Sequence, residues 1–177
     1  MRTGARVSWF GRSTVLVLAA LTLVTGWARP ALAVTDATCT VRKPLTVKPA
    51  FFVIPTRFQS EAGGTVVCIG VINDQVLAGA ADLTFNGVLF TSPCRSGGID
   101  FTGAGVLTLT AQTLPFGSIT VSGGFAFTPA GGGAYALVGS ISGSVLGGSV
   151  IFSAQSPPTC DANWPGTVTG ELVLADA

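Results

Sequence analysis

From Val34 onward the sequence alternates apolar and polar residues with a period of two, and clusters of Gly, Pro, Asn or Asp interrupt the alternation at short intervals. Ile119, Val121, Phe125 and Phe127 share one phase, and Ser118, Thr120 and Ser122 share the other. A strand turns every second side chain to the same face, whereas a helix returns to a face every third or fourth residue, so the pattern specifies half-buried strands. A helical bundle is excluded. The abundance of 24 Gly and 10 Pro against a single Met agrees, because those residues punctuate extended chain and disrupt helices.

Nine strands are predicted, over residues 38–48, 51–58, 65–72, 81–90, 99–110, 118–127, 134–142, 145–154 and 167–174. The breaks Ala62-Gly63-Gly64, Ser96-Gly97-Gly98, Pro115-Phe116-Gly117 and Ala130-Gly131-Gly132-Gly133 are each of hairpin length. Strands joined in sequence by tight turns are antiparallel neighbours, which gives an all-β antiparallel meander. Nine strands with one apolar face each bury it by closing into a barrel, the favoured reading, or by folding over as a two-sheet sandwich. Pairing of the first strand with the last distinguishes the two. Strand three, with Val66, Val67, Ile69, Val71 and Ile72, is apolar on both faces and reads as a strand covered on each side or one that contributes to an interface.

The first 33 residues read as a signal peptide and residues 34–177 as a single secreted domain. Arg2, Arg6 and Arg12 form a basic start, an apolar run rich in Val and Leu follows, and Ala31-Leu32-Ala33 supplies the small-x-small pattern of a signal peptidase site. The apolar run is shorter than the roughly 20 residues of a membrane span, so cleavage rather than anchoring is expected. The remaining chain carries five Lys and Arg against eight Asp and Glu, a net charge of −3. That balance has no electrostatic footprint for nucleic acid or an anionic membrane.

All four cysteines, Cys39, Cys68, Cys94 and Cys160, lie in the exported part, where an oxidising compartment favours two disulfides. No pair has C-x-x-C spacing and the chain has no His, so neither a zinc site nor any other metal or cofactor site is expected. In a simple meander the ends of even-numbered strands share a rim, which places Cys94, Cys160 and the start of strand one together. On that parity the pairing is Cys39–Cys68 and Cys94–Cys160, with Cys39–Cys160 the rival.

Motif-like strings in the chain do not support catalysis. Gly139-Ser140-Ile141-Ser142-Gly143 has Ile where a nucleophile elbow needs Ser, and Gly131-Gly132-Gly133 lacks the Lys of a phosphate loop. A glycosidase needs only two carboxylates, yet the acids are scattered over turns and polar strand faces, with Asp82 near a strand start. Lys43 and Lys48 lie on a hydrated first strand. Trp164, in the turn Asp161 to Gly166, suits either a surface contact or a plug at a barrel mouth. Phe51 and Phe52 are neighbours on a strand and cannot both enter one core, so one of them is a further contact candidate.

Cys39-Thr40-Val41 after a signal peptide without twin arginines, Gly64-Thr65-Val66-Val67-Cys68-Ile69-Gly70, and Gly166-Thr167-Val168-Thr169-Gly170-Glu171-Leu172 after Cys160 resemble small secreted actinobacterial all-β proteins of uncharacterised function. The resemblance implies export and adds no catalytic residue. The expectation is a secreted, non-catalytic β domain, either a structural or surface-interaction module that self-associates or attaches to the envelope, or a barrel whose inward Gly and Ala leave room for a small apolar ligand. The many Phe favour a filled core. A carboxylate glycoside hydrolase is the remote alternative.

Overall fold

In the computed structural model, residues 34–48, 56–90, 102–154 and 163–177 are described, and all belong to one compact unit. Phe51, Phe52, Cys94 and Cys160 lie outside the described residues. Nine strands are present: β1 (Asp36–Lys48), β2 (Thr56–Ser60), β3 (Thr65–Ile72), β4 (Gln75–Leu89), β5 (Gly103–Thr113), β6 (Gly117–Gly131), β7 (Ala134–Ile141), β8 (Ser144–Ala154) and β9 (Trp164–Ala175). No helix occurs among the described residues.

Every pairing is antiparallel, and β1 pairs with β9 from Asp36↔Ala175 to Val47↔Trp164. The sheet is therefore closed and the sandwich alternative falls. The circuit β1-β3-β4-β5-β6-β7-β8-β9 has eight positions, and β2 is the extra strand.

The plain nine-strand meander needs one correction. β3 pairs with the first half of β1 (Asp36–Arg42), whereas β2 pairs with its last four residues (Leu45–Lys48). β2 also pairs with Asn86–Leu89 of β4, while β3 pairs with residues 75–81 of the same strand. Since both run antiparallel to β1, β2 and β3 lie end to end and together fill one position in the wall. The segment 61–64, expected to be a hairpin turn, is instead an in-line break.

Pro44 explains the break. It has no N–H to offer the ladder, so pairing cannot run through it on both sides. Its carbonyl accepts the N–H of Glu61 at 2.9 Å, and four residues, 61–64, oppose only Lys43 and Pro44. Gly64 has φ +86° and its α-carbon faces the Arg42 carbonyl and Pro44 Cδ so closely that a Cβ would stand 2.8 Å from that Cδ. Only glycine fits there.

The end-to-end arrangement also reverses the rim parity. β1, β4, β6 and β8 all run toward one rim. β2, β5, β7 and β9 begin there, and we call it the loop rim. The opposite, turn rim carries the two-residue turns Asn73-Asp74 and Ser142-Gly143, the three-residue Leu114–Phe116, and both chain ends of the domain. The turn residues Asn73, Asp74, Ser142 and Gly143 all have positive φ, as a tight hairpin twisting with its strands requires. Cys39, near the start of β1, thus belongs to the opposite half of the barrel from the ends of β4 and β8, which removes the physical basis of the rival Cys39–Cys160 pairing.

The expected alternation holds along most strands. Val121, Phe125 and Phe127 of β6, Leu146 and Val150 of β8, and Val168, Leu172 and Leu174 of β9 are buried, with the intervening Ser and Thr outward. Strand three is one-sided: Val66, Cys68 and Ile72 face the core, but Ile69 is 65% exposed, so no second layer covers it.

Candidate functional site

An eight-strand barrel has an interior just wide enough for side chains to fill, and here two layers fill it. Toward the turn rim the layer is aliphatic, with Ala37, Val41, Ile72, Leu77, Ala111, Ile141, Leu146 and Leu174 around the Cys39–Cys68 disulfide. The two cysteines are directly opposed across β1 and β3, with Cα atoms 4.0 Å apart, and both are fully buried. The neighbour relation follows from β2 having stepped aside; a simple meander would have put them two strands apart.

Toward the loop rim the layer is aromatic. Phe127 contacts Phe58 (ring centroids 5.7 Å apart), Tyr135 (5.9 Å) and Phe152 (5.3 Å), mostly edge to face or tilted. These are the offset geometries that ring quadrupoles favour. Two inward glycines make the room: a Cβ on Gly103 would stand 2.5 Å from Phe127 Cζ, and one on Gly87 would stand 2.6 Å from Phe58 Cζ. The volume that Gly87 and Gly103 leave on the inner face is therefore taken by Phe rings. A cavity of about 30 Å³ remains among Val41, Phe58, Phe85, Phe125, Phe152 and Leu172. That holds about two water-sized spheres, far below the roughly 300 Å³ of a small-molecule site.

Among the described residues, Lys43 and Asp82 are engaged in the wall and Asp74 and Asp176 at the turn rim. Lys43 belongs to the buried phase of β1 with Val41 and Leu45, contrary to the expectation of a hydrated first strand; it is 3% exposed. Its Nζ meets Asp82 Oδ1 at 2.6 Å. Asp82 lies in the middle of β4 and on the outward phase, opposite Thr110, not near a strand start. The ion pair joins the inner and outer faces of the wall at the break between β2 and β3, where residues 82–85 of β4 have no ladder partner on that side. Ser60 Oγ satisfies one of the freed groups by accepting the N–H of Phe85 at 3.0 Å. The hydrogen bond from Lys43, assisted by its charge, holds the Asp82 carboxyl below its ordinary range against the opposing effect of burial.

Of the other acids, Asp74 and Asp176 accept main-chain N–H groups of Val34 and Thr35. Glu171 lies on the outer face between Thr40 and Ser149. Among the described residues there is no cluster of three metal-ligating side chains and no helix long and apolar enough to cross a membrane.

Trp164 is the first residue of β9, its backbone paired with Val47, rather than a turn residue. The sequence reading missed the apolar turn rim. Phe116 is 99% exposed, and Leu114 and Val76 beside it are also exposed, with the N–H of Leu114 donating to the Val76 carbonyl at 2.9 Å. The signal was present in Leu114-Pro115-Phe116, where two large apolar residues occupy a three-residue turn that cannot bury them. Comparison with family models, curated proteins and solved structures finds no match to the chain.

Proposed function

We propose that the chain is an exported, non-catalytic β-barrel that works through its outer surface at the cell exterior, as a structural or interaction module. The observation that carries this reading is the packing of the described interior: Phe rings occupy the space over Gly87 and Gly103, and the cavity among them is about 30 Å³. An apolar ligand would have to displace core side chains that pack at crystal-like density. What remains for recognition is the outside, and that surface carries exposed Val67, Ile69, Val76, Leu114 and Phe116. The buried disulfide suits an oxidising compartment, and the sequence before Val34 suits export.

The non-catalytic part rests on chemistry. The chain contains no His, Lys43 is committed to Asp82, and Asp74 and Asp176 are committed to the main chain. General acid–base work needs a titratable group aimed at a substrate.

Two measurements on the exported protein test the reading. An environment-sensitive apolar dye and a series of fatty acids should neither bind nor raise the melting temperature, and ester, glycoside and peptide substrates should stay at background. Saturable binding of one apolar ligand per chain would replace the surface module with a ligand carrier. Turnover abolished by one Asp or Glu substitution would replace it with a hydrolase.

A further inference from the structure

Residues just before a first strand ordinarily fray, but Val34 and Thr35 are tied down. The N–H of Val34 donates to Asp74 Oδ1 at 2.9 Å, and the N–H of Asp74 donates back to the Val34 carbonyl at 3.0 Å. The N–H of Thr35 donates to Asp176 Oδ1 at 2.7 Å, and Thr35 Oγ1 accepts the N–H of Asn73 at 3.3 Å. Thr35 is 2% exposed. Two carboxylates far apart in the sequence thus converge on two consecutive main-chain nitrogens.

The Ala31-Leu32-Ala33 pattern places the scissile bond between Ala33 and Val34. Hydrolysis there adds one water: Ala33 leaves with a carboxylate, and Val34 acquires an amine that is protonated at neutral pH. One neutral donor becomes an ammonium with three, at a nitrogen that already faces a carboxylate oxygen.

We propose that Asp74, supported by Asp176, is a built acceptor for the α-ammonium of Val34, so that cleavage converts a neutral clamp into an ion pair fastening the start of β1 to the β3–β4 turn. The inference rests on the processing reading. The acids around the nitrogen are Asp74 on the β3–β4 turn, Asp176 after β9, and Asp36 on β1 itself, which pairs with Val71 and Ala175 and bonds neither Val34 nor Thr35 in the contacts above. Asp74 has φ +63°, which Asn tolerates as well, so an Asp74→Asn chain keeps the turn and loses only the charge.

The test uses protein exported from the full-length gene. Intact mass first gives the N-terminus, and a pulse of amine-reactive ester at neutral pH then gives labelling of the Val34 amine relative to Lys48, an exposed internal reference. A start at Val34 is expected, with labelling of that amine rising about threefold in Asp74→Asn, in keeping with the modest strength of an exposed ion pair, and unchanged in Asp36→Asn. A start elsewhere overturns the processing reading and the proposal with it. A start at Val34 with equal labelling in wild type and Asp74→Asn, or an equal rise in Asp36→Asn, overturns the acceptor alone.

Discussion

Lys43 Nζ lies 2.6 Å from Asp82 Oδ1 although the two residues belong to opposite faces of the barrel wall. The pair occupies the break between β2 and β3, where residues 82–85 of β4 lack a ladder partner, and it supplies there an attraction that main-chain pairing does not. Removal of Asp82 leaves an ammonium buried without a partner, which costs far more than the loss of an exposed ion pair. Because Asp82 is 65% exposed and water reaches its side, the full penalty of a buried pair does not apply.

Asp82→Asn should therefore lower stability by about 1–2 kcal/mol at pH 7, read by urea denaturation. Lys43→Met, which keeps the apolar stem and removes the charge, should cost less. A larger loss for Lys43→Met would show that the charge itself, and not its pairing, holds the break together.

The same pair predicts acid sensitivity. Asp82 has a lowered folded-state pKa, so its contribution is fully present above the unfolded-state value near 3.8 and disappears as pH falls through the folded value. Thermal midpoints from pH 7 to pH 2 should fall more steeply for wild type than for Lys43→Met below about pH 4. Parallel curves would remove the pair from the acid response.

Much of the barrel was legible in the period-two pattern because burial on one face requires it. The phase of Val121, Phe125 and Phe127, or of Val168, Leu172 and Leu174, needs no structural knowledge. Three points were not legible. Gly63-Gly64 between two strands reads equally as a hairpin or as an in-line break, and only the pairing of both β2 and β3 with β1 decides between them. Lys43 shares its phase with Val41 and Leu45, but its charge overrode the pattern, since nothing local announces a carboxylate 39 residues away. Gly87 and Gly103 look like vacancies in a sequence, whereas the rings that cover them come from β2 and β6.

The disulfide closes a loop of 29 residues, and the chain-entropy model assigns such a link about 3–4 kcal/mol. Cys39→Ser and Cys68→Ser should lower the denaturation midpoint by the same amount. Unequal losses would mean that the free thiol left behind has a role of its own. The ends of β4 and β8 share the loop rim, so Cys94 and Cys160 should form the second bridge, and the exported protein should weigh four hydrogens less than its fully reduced form. A difference of two hydrogens would leave those thiols unpaired.

Gly103→Ala tests the filled interior. The added methyl would stand 2.5 Å from Phe127 Cζ, and the ring is hemmed in by Phe58, Tyr135 and Phe152. Overpacking of this kind costs about 1–3 kcal/mol, and Phe127→Leu combined with it should recover part of the loss. If Gly103→Ala is neutral, the aromatic layer is loose enough to admit a ligand and the surface-module reading weakens.

Phe116 separates fold from function most cleanly. At 99% exposure its ring buries nothing, so Phe116→Ser should leave the melting temperature unchanged, its effect falling within about 0.5 kcal/mol. Phe116 shares the β5–β6 turn with exposed Leu114, whose N–H meets the carbonyl of exposed Val76, and large apolar side chains left in water at one rim favour burial against another surface. A surface module should therefore lose association without losing stability. Sedimentation velocity over a concentration series, with envelope and supernatant fractions assayed in parallel, should show Phe116→Ser and Leu114→Ser shifting the protein toward free monomer. If both variants sediment and fractionate like wild type, the turn rim carries no interaction, and the outer faces of β3 and the loop rim become the surfaces to test.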